Sequence, residues 1–160
     1  MDSILLDDFR DCFASLAAIG RDPVSTGWQR LAWSDEAREA RAWFARQAAA
    51  RGLDDRRDAN GNLWAWWGDP EAGGALVLGS HLDTVRQGGA YDGALGVVAG
   101  FVALAALRRR GLTPSRPLAV AAFAEEEGGR YGVATLGSRL LAGTLDPAAA
   151  LGRRDDGGVT

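Results

Sequence analysis

Three short motifs in this sequence together carry the ligand types of a hydrolytic metal site. The first, Gly79-Ser80-His81-Leu82-Asp83-Thr84-Val85, combines an imidazole with a carboxylate two residues later. The second is Tyr91-Asp92-Gly93, and the third is Glu125-Glu126-Glu127-Gly128-Gly129-Arg130. His81 is the only histidine in the chain of 160 residues. The residues therefore predict a metal site that looks incomplete.

The chemistry of such a site assigns a task to each of these side chains. His81 can donate a lone pair to zinc, and Asp83 can hold the other ring nitrogen and so fix the tautomer. Asp92 can bridge two cations about 3.5–4 Å apart, which would polarise a carbonyl and share a hydroxide. Of the glutamates in the run 125–127, one can bind metal while its neighbour acts as general base toward the bound water.

Each residue also has an interpretation without catalysis. A lone histidine in a loop is usually solvated, Asp92 can equally cap a helix, and adjacent glutamates commonly form a charged surface. The run 125–127 nevertheless directly follows an apolar strand, where burial of carboxylates would be costly without cations. The combination of motifs therefore favours the metal site.

The predicted elements bring these motifs to one end of a sheet. Apolar runs over 75–78 and 117–124 indicate two strands buried on both faces, and the stretch 93–109 between them predicts a helix. This order implies a right-handed parallel βαβ unit. Sites in open α/β sheets gather at the carboxyl ends of the strands, where His81 and Glu125 follow.

The other elements are predicted from periodicity and from capping residues. Helices are expected over 3–18, between Ser34 and Gly52, over 133–142, and from Asp146 onward. Strands over 53–59 and 62–67 flank Asn60-Gly61, a strong signal for a hairpin turn. Two parallel strands and one hairpin are few for an open sheet, so the chain is expected to be a piece of a larger protein.

Composition narrows the classes of partner. A net charge of -3 gives no electrostatic case for nucleic acid or for an anionic membrane. No apolar stretch reaches the roughly 20 residues of a membrane span, and Asp7 and Asp8 lie where a secretory signal would be positive. The only cysteine, Cys12, fits a reducing cytoplasm, and without a second histidine as its base it is expected to be an apolar helix residue.

In their order and spacing, the motifs closely resemble the M20 metallopeptidase-like hydrolases, in the amidase, hydantoinase and carbamoylase branch. That branch includes N-carbamoyl-L-amino acid hydrolases, allantoate amidohydrolases and β-ureidopropionases. The resemblance covers nearly the whole chain, and the stretches that carry it are 33–36, 58–63, 79–85, 91–97, 123–132 and 136–139. The His-Leu-Asp-Thr-Val and Glu-Glu-Gly-Gly-Arg forms favour this branch over ordinary M20 peptidases.

The resemblance implies an α/β fold. Residues 1–160 would be the incomplete N-terminal portion of a metal-dependent catalytic domain. That domain is a zinc-peptidase-like α/β/α sandwich with a mixed, mostly parallel sheet. Members of the branch are considerably longer, and their remaining strands, two more histidine ligands and a lid and dimerisation domain have no counterpart in this sequence.

The resemblance also implies a role for individual residues. His81 would bind one cation, Asp92 would bridge both, and Glu127 would bind the second. The cations would be two divalent ions, either zinc or manganese, cobalt or nickel.

The remaining acidic residues are assigned by position in the same way. Glu126 would be the general base, and Asp83 would support His81. Glu125 stands where members of the branch often have asparagine, and it receives no role.

The function implied is hydrolysis of non-peptide linear C–N bonds in small N-carbamoyl or ureido acids by a water that two metals activate. This chain alone is expected to be inactive, and the full-length protein is expected to be a cytoplasmic homodimer. One alternative is a fragment of an M20 aminoacylase or peptidase. Another is a truncated non-catalytic module that pairs with a full-length homologue. The sequence that the gene encodes after Thr160 would discriminate among them.

Overall fold

The structure is a computed structural model that describes residues 3–160. Its helices are α1 (Ser3–Ala17), α2 (Asp35–Ala50), α3 (Ala94–Arg109), α4 (Leu136–Leu141) and α5 (Pro147–Leu151). Its strands are β1 (Asp54–Arg57), β2 (Leu63–Trp67), β3 (Leu76–His81) and β4 (Leu118–Phe123), and a 3-10 turn spans Pro70–Ala72.

The four strands form one mixed sheet in the order β1-β2-β4-β3. β3 pairs with β4 in parallel across α3, whereas β1 with β2 and β2 with β4 are antiparallel. The predicted α/β class and the parallel strand–helix–strand unit are therefore confirmed. None of the helices within the described residues is both long and apolar enough to cross a membrane.

The helices follow the capping and packing signals of the sequence. The Ser34 hydroxyl accepts the backbone N–H of Ala37 at 3.2 Å, so α2 begins where the capping pattern predicts. Trp43 and Phe44 of α2 pack on Phe101 of α3, with ring centroids 6.0 and 5.0 Å apart. All three rings are buried, and this contact joins the helices in the core.

Cys12 lies in α1 with its side chain in the core, as its pattern predicted. Burial raises the pKa of the Cys12 thiol to about 11, so the thiolate is scarce near neutral pH. The structure therefore gives no support for a nucleophilic role of this residue.

Three predicted details are wrong. β3 runs on to His81, because residues 79–81 continue to pair with residues 121–123 of β4. β3 is also not buried on both faces: five of its six residues are exposed or half-buried, and Leu76 is 53% exposed. Finally, α4 begins at Leu136 and not at residue 133, because Gly132 and Thr135 have positive φ in a turn-rich segment.

Asn62 connects the hairpin to the end of β4. Its side-chain amide donates to the Asp58 carboxylate at 2.8 Å and to the backbone carbonyl of Gly137 at 3.1 Å. Its side-chain oxygen accepts the backbone N–H of Ala124 at 3.0 Å, and the residue is fully buried. One amide therefore fixes the point where the chain leaves β4 for the acidic motif.

We expect Asn62→Leu to lower the free energy of unfolding by about 2–4 kcal/mol, because it removes the side-chain hydrogen bonds to the Ala124 N–H, the Gly137 carbonyl and the Asp58 carboxylate. Urea denaturation measures the change. The same substitution at Asn60 in the same turn should cost less than about 0.5 kcal/mol, since no side-chain hydrogen bond of Asn60 occurs within the described residues. Equal losses in both variants would contradict the role of Asn62.

Candidate metal centre

The sheet holds His81 at the end of β3 with its ring buried. Its Nδ1 lies 2.9 Å from the backbone carbonyl oxygen of Asp83. Because a carbonyl oxygen can only accept, Nδ1 carries a proton, and Nε2 is the ring nitrogen that remains to face a cation. The ring therefore presents a metal-binding nitrogen on its other side.

Asp83 holds this ring in a different way from the one that the sequence suggested. Its carboxylate Oδ1 is 3.8 Å from His81 Nδ1, which is beyond hydrogen-bond length, so the backbone carbonyl orients the imidazole instead. The carboxylate Oδ2 accepts the backbone N–H of Glu127 at 3.1 Å. Asp83 thus links the first motif to the third.

Acidic oxygens surround the free nitrogen of His81. Asp92 Oδ1 lies 3.5 Å from Nε2, and Glu126 Oε2 lies 3.4 Å from it. One ligand atom each from His81, Asp92 and Glu127 fall within 4.8 Å of one another. Ligand atoms of one zinc ion, each about 2.1 Å from it, are at most about 4.2 Å apart, so a shift of under about 1 Å would bring these three atoms to the spacing of metal ligands. A donor set of imidazole and carboxylates also suits manganese, cobalt and nickel.

Asp92 does not cap α3. The N-cap residue is Gly93, which has no side-chain cap, and the Asp92 carboxylate is 63% exposed. The backbone of this turn is fixed, because the carbonyl of Tyr91 accepts the N–H of Leu95 at 3.0 Å and the Tyr91 ring stacks on Phe13 of α1 at 5.1 Å. The structure therefore leaves the Asp92 carboxylate available beside His81.

Gly93 lets this turn approach His81 closely. A Cβ atom at Gly93 would lie 2.6 Å from the Nδ1 and Cε1 atoms of the imidazole ring, and the residue has a φ of +65°. Both the contact and the backbone conformation exclude a side chain. The glycine is therefore a requirement for placing Asp92 and His81 side by side.

Glu126 and Glu127 have different surroundings. Glu127 is partly buried, and desolvation raises the pKa of its carboxyl, with the negative charge of Asp92 as the next cause. A bound cation would offset both effects, so we expect binding to strengthen as pH rises and the carboxyl loses its proton. The side chain of Glu126 is 35% exposed and therefore open to a substrate or a water.

Two buried charged residues near the centre received no role from the sequence. Arg30 donates to the backbone carbonyls of Leu82 at 2.8 Å and of Ile19 at 3.2 Å, next to the Asp83 motif. Burial lowers the pKa of Arg30 to about 10, and the charge of Asp83 opposes this shift. The other residue is Glu125, whose pKa is raised by burial. Arg30 is distant from the three motifs in sequence. Only its contact with residues 82–84 in the folded chain brings that arginine to the site.

We expect Gly93→Ala to weaken binding of Zn²⁺ roughly 10- to 100-fold, because the new methyl group would displace the His81 ring. Isothermal titration calorimetry measures the affinity. Gly111→Ala is the matched control, since Gly111 follows α3 with a φ of +71° and has no heavy atom within 4 Å of the same Cβ position. A loss of affinity in Gly111→Ala as large as in Gly93→Ala would point to backbone strain. It would contradict the explanation by contact between the new methyl group and the His81 ring.

Comparisons with known proteins show what this chain is similar to. The sequence model of Peptidase family M28 matches residues 62–150. An N-carbamoyl-L-amino acid amidohydrolase of Geobacillus stearothermophilus is 40% identical over 146 residues, which are 91% of this chain and 35% of that protein. An allantoate amidohydrolase of Escherichia coli (strain K12) is 38% identical over 133 residues, which are 82% of this chain and 32% of that protein.

A solved structure gives the same result. A hydantoinase/carbamoylase family amidase from Burkholderia ambifaria matches with a TM-score of 0.89 and 37% identity, over 95% of this chain and 38% of that chain. The chain thus spans about a third of the length of these relatives. The family resemblance that the motifs predicted is confirmed.

Proposed function

The chain belongs to the M28/M20-like hydrolases, in the branch of the hydantoinase and carbamoylase amidases, and on this premise we propose that its acidic centre takes part in metal-dependent hydrolysis of a linear, non-peptide C–N bond. The observation that carries the proposal is the position of His81 Nε2, within 3.5 Å of both Asp92 and Glu126. A lone pair facing carboxylate oxygens is repulsive unless a cation or a proton lies between them.

The proposed ligands of two divalent cations are His81, Asp92 and Glu127, with Asp92 shared between the two ions. When bound, the cations would polarise the substrate carbonyl and lower the pKa of a bound water. Zinc, manganese, cobalt and nickel all suit this donor set. The exposed Asp92 carboxylate supports the bridging role, because its two oxygens are free to face two ions.

Glu126 is the proposed general base. Its carboxylate lies beside His81 Nε2 but outside the cluster of three ligands, and it is partly open to solvent. It would take the proton of the attacking water and deliver it to the leaving nitrogen as the C–N bond breaks. His81 would keep its orientation during these steps through the carbonyl of Asp83.

The proposed substrate class is small N-carbamoyl or ureido acids, in line with the names of the amidohydrolase relatives. Because two cations need more protein ligands than His81, Asp92 and Glu127 supply, we expect residues 1–160 alone to bind cations weakly and to give no turnover. We further propose that the full-length protein works as a cytoplasmic homodimer.

Cation binding can be tested on this chain directly. We expect Zn²⁺ or Co²⁺ to bind by calorimetry, and we expect His81→Gln, Asp92→Asn and Glu127→Gln each to weaken binding at least roughly 10-fold. Glu71→Gln is the control, because Glu71 is an exposed carboxylate in the 3-10 turn. The ligand assignment fails if wild type binds no cation, or if Glu71→Gln loses as much affinity as the three site variants.

The reaction is best tested on the protein as its gene encodes it. We expect metal-dependent hydrolysis of N-carbamoyl-L-amino acids or allantoate, loss of activity with a chelator, and a fall in kcat of about 10²- to 10⁴-fold in Glu126→Gln without loss of bound metal. Dipeptides and N-acetyl amino acids belong in the same panel, because the matching family model is described as a peptidase family.

Each outcome of that panel selects one hypothesis. Faster cleavage of dipeptides or N-acetyl amino acids would favour an aminoacylase or peptidase over an amidase. Absence of turnover on every substrate would favour a non-catalytic module. Robust turnover by the 160-residue chain alone would overturn the expectation that it is inactive.

A further inference from the structure

Glu125 is a buried acidic residue that the proposed reaction does not use. The residue is 1% exposed, although it opens a run of three glutamates that would ordinarily lie on the surface. We propose that Glu125 is a positioning residue, whose carboxylate closes residues 125–131 into a ring that holds Glu126 and Glu127 toward His81. This inference rests on the proposed function of those residues.

Two hydrogen bonds close the ring. Glu125 Oε1 accepts the backbone N–H of Arg130 at 3.0 Å and the backbone N–H of Tyr131 at 2.8 Å. A carboxylate that accepts two backbone N–H groups makes charge-assisted bonds, which are stronger than neutral ones. The segment between the two ends carries Glu126, Glu127 and two glycines, which alone would favour a loose loop.

The backbone of Glu125 also depends on these bonds. Its φ is +49°, a left-handed conformation that is unfavourable for a residue with a side chain. The carbonyl oxygens of Ala124, Glu125 and Glu126 then accept N–H groups from Gly137, Leu136 and Thr135, at 2.9, 3.1 and 2.6 Å. The left-handed residue thus presents its carbonyl to the start of α4 and its side chain to the far end of the ring.

Both ends of the ring are attached to other parts of the molecule. Arg130 donates to the backbone carbonyl of Ala32 at 2.8 Å and to the Asp155 carboxylate at 3.0 Å. The N–H of Glu127 donates to Asp83, which also orients His81. Loss of the Glu125 carboxylate would remove the bonds that join the two ends of the segment that carries the proposed base and ligand.

The surroundings of Glu125 exclude direct contact with a substrate. The residue is buried, its Oε1 is occupied by two N–H groups, and it is not part of the cluster of His81, Asp92 and Glu127. Glutamine keeps the shape and one carbonyl acceptor, whereas leucine keeps a similar volume without any acceptor. The pair Glu125→Gln and Glu125→Leu therefore separates the hydrogen bonds of the side chain from its charge.

Hydrogen exchange on the metal-free chain tests the ring itself. We expect the amides of Arg130, Tyr131 and Glu127 to be protected in wild type and in Glu125→Gln, and to exchange at least roughly 10-fold faster in Glu125→Leu. If Glu125→Leu fails to fold, the amide exchange rates of the wild-type chain alone decide whether the ring is closed. The Arg130 and Tyr131 amides must then exchange more slowly than the amide of Gly129, which has no hydrogen bond within residues 3–160. Equal exchange rates, or an unchanged pattern in folded Glu125→Leu, would overturn the proposal.

Affinity for Zn²⁺ tests the consequence for the site. We expect Glu125→Leu to weaken binding roughly 10- to 100-fold and Glu125→Gln to bind within about 3-fold of wild type. If Glu125→Gln loses as much as Glu125→Leu, the charge of Glu125 acts directly and the positioning role is wrong. If wild type binds no Zn²⁺, the proposed ligand assignment fails, and the exchange rates still decide whether the Glu125 carboxylate closes the loop.

Discussion

The parallel pairing of β3 with β4 is the constraint on which the candidate centre depends. Its register sets His81 opposite Phe123, two residues before Glu125, so the imidazole and the acidic loop leave the sheet at neighbouring points. α3 connects the two strands and brings Asp92 to the same edge. A shift of one residue in this register would turn His81 to the other face of the sheet and separate it from the acidic loop.

Around this register, the molecule holds several carboxylates close together without letting them move freely. Asp83 is fixed to the backbone of Glu127, and Glu125 is fixed to the backbone of Arg130 and Tyr131. These bonds offset part of the free-energy cost of removing the two buried carboxylates from water. Asp92 and Glu126 remain partly open to solvent, so the carboxylates that face His81 Nε2 are the accessible ones.

Much of the fold could be predicted from the sequence. The Ser34 cap and the apolar run of β4 lie where their patterns placed them, because caps and buried strands are encoded by local residue types. The end of β3 was missed, because Gly79 and Ser80 are weak strand formers that pairing with β4 nevertheless keeps extended. The start of α4 was missed for a related reason, since the positive φ of Thr135 is set by contacts with the acidic loop.

The sequence by itself determined the family, the residue types of the centre and the motifs that carry them, because these depend on side-chain chemistry and spacing. The tertiary structure alone decided which atoms meet. It assigned the His81 ring to the carbonyl of Asp83, the Asp83 carboxylate to the N–H of Glu127, and the Glu125 carboxylate to two N–H groups further along. Each of these partners is a backbone group, and because nearly every residue carries the same backbone groups, no sequence pattern can show which of them a buried side chain will reach.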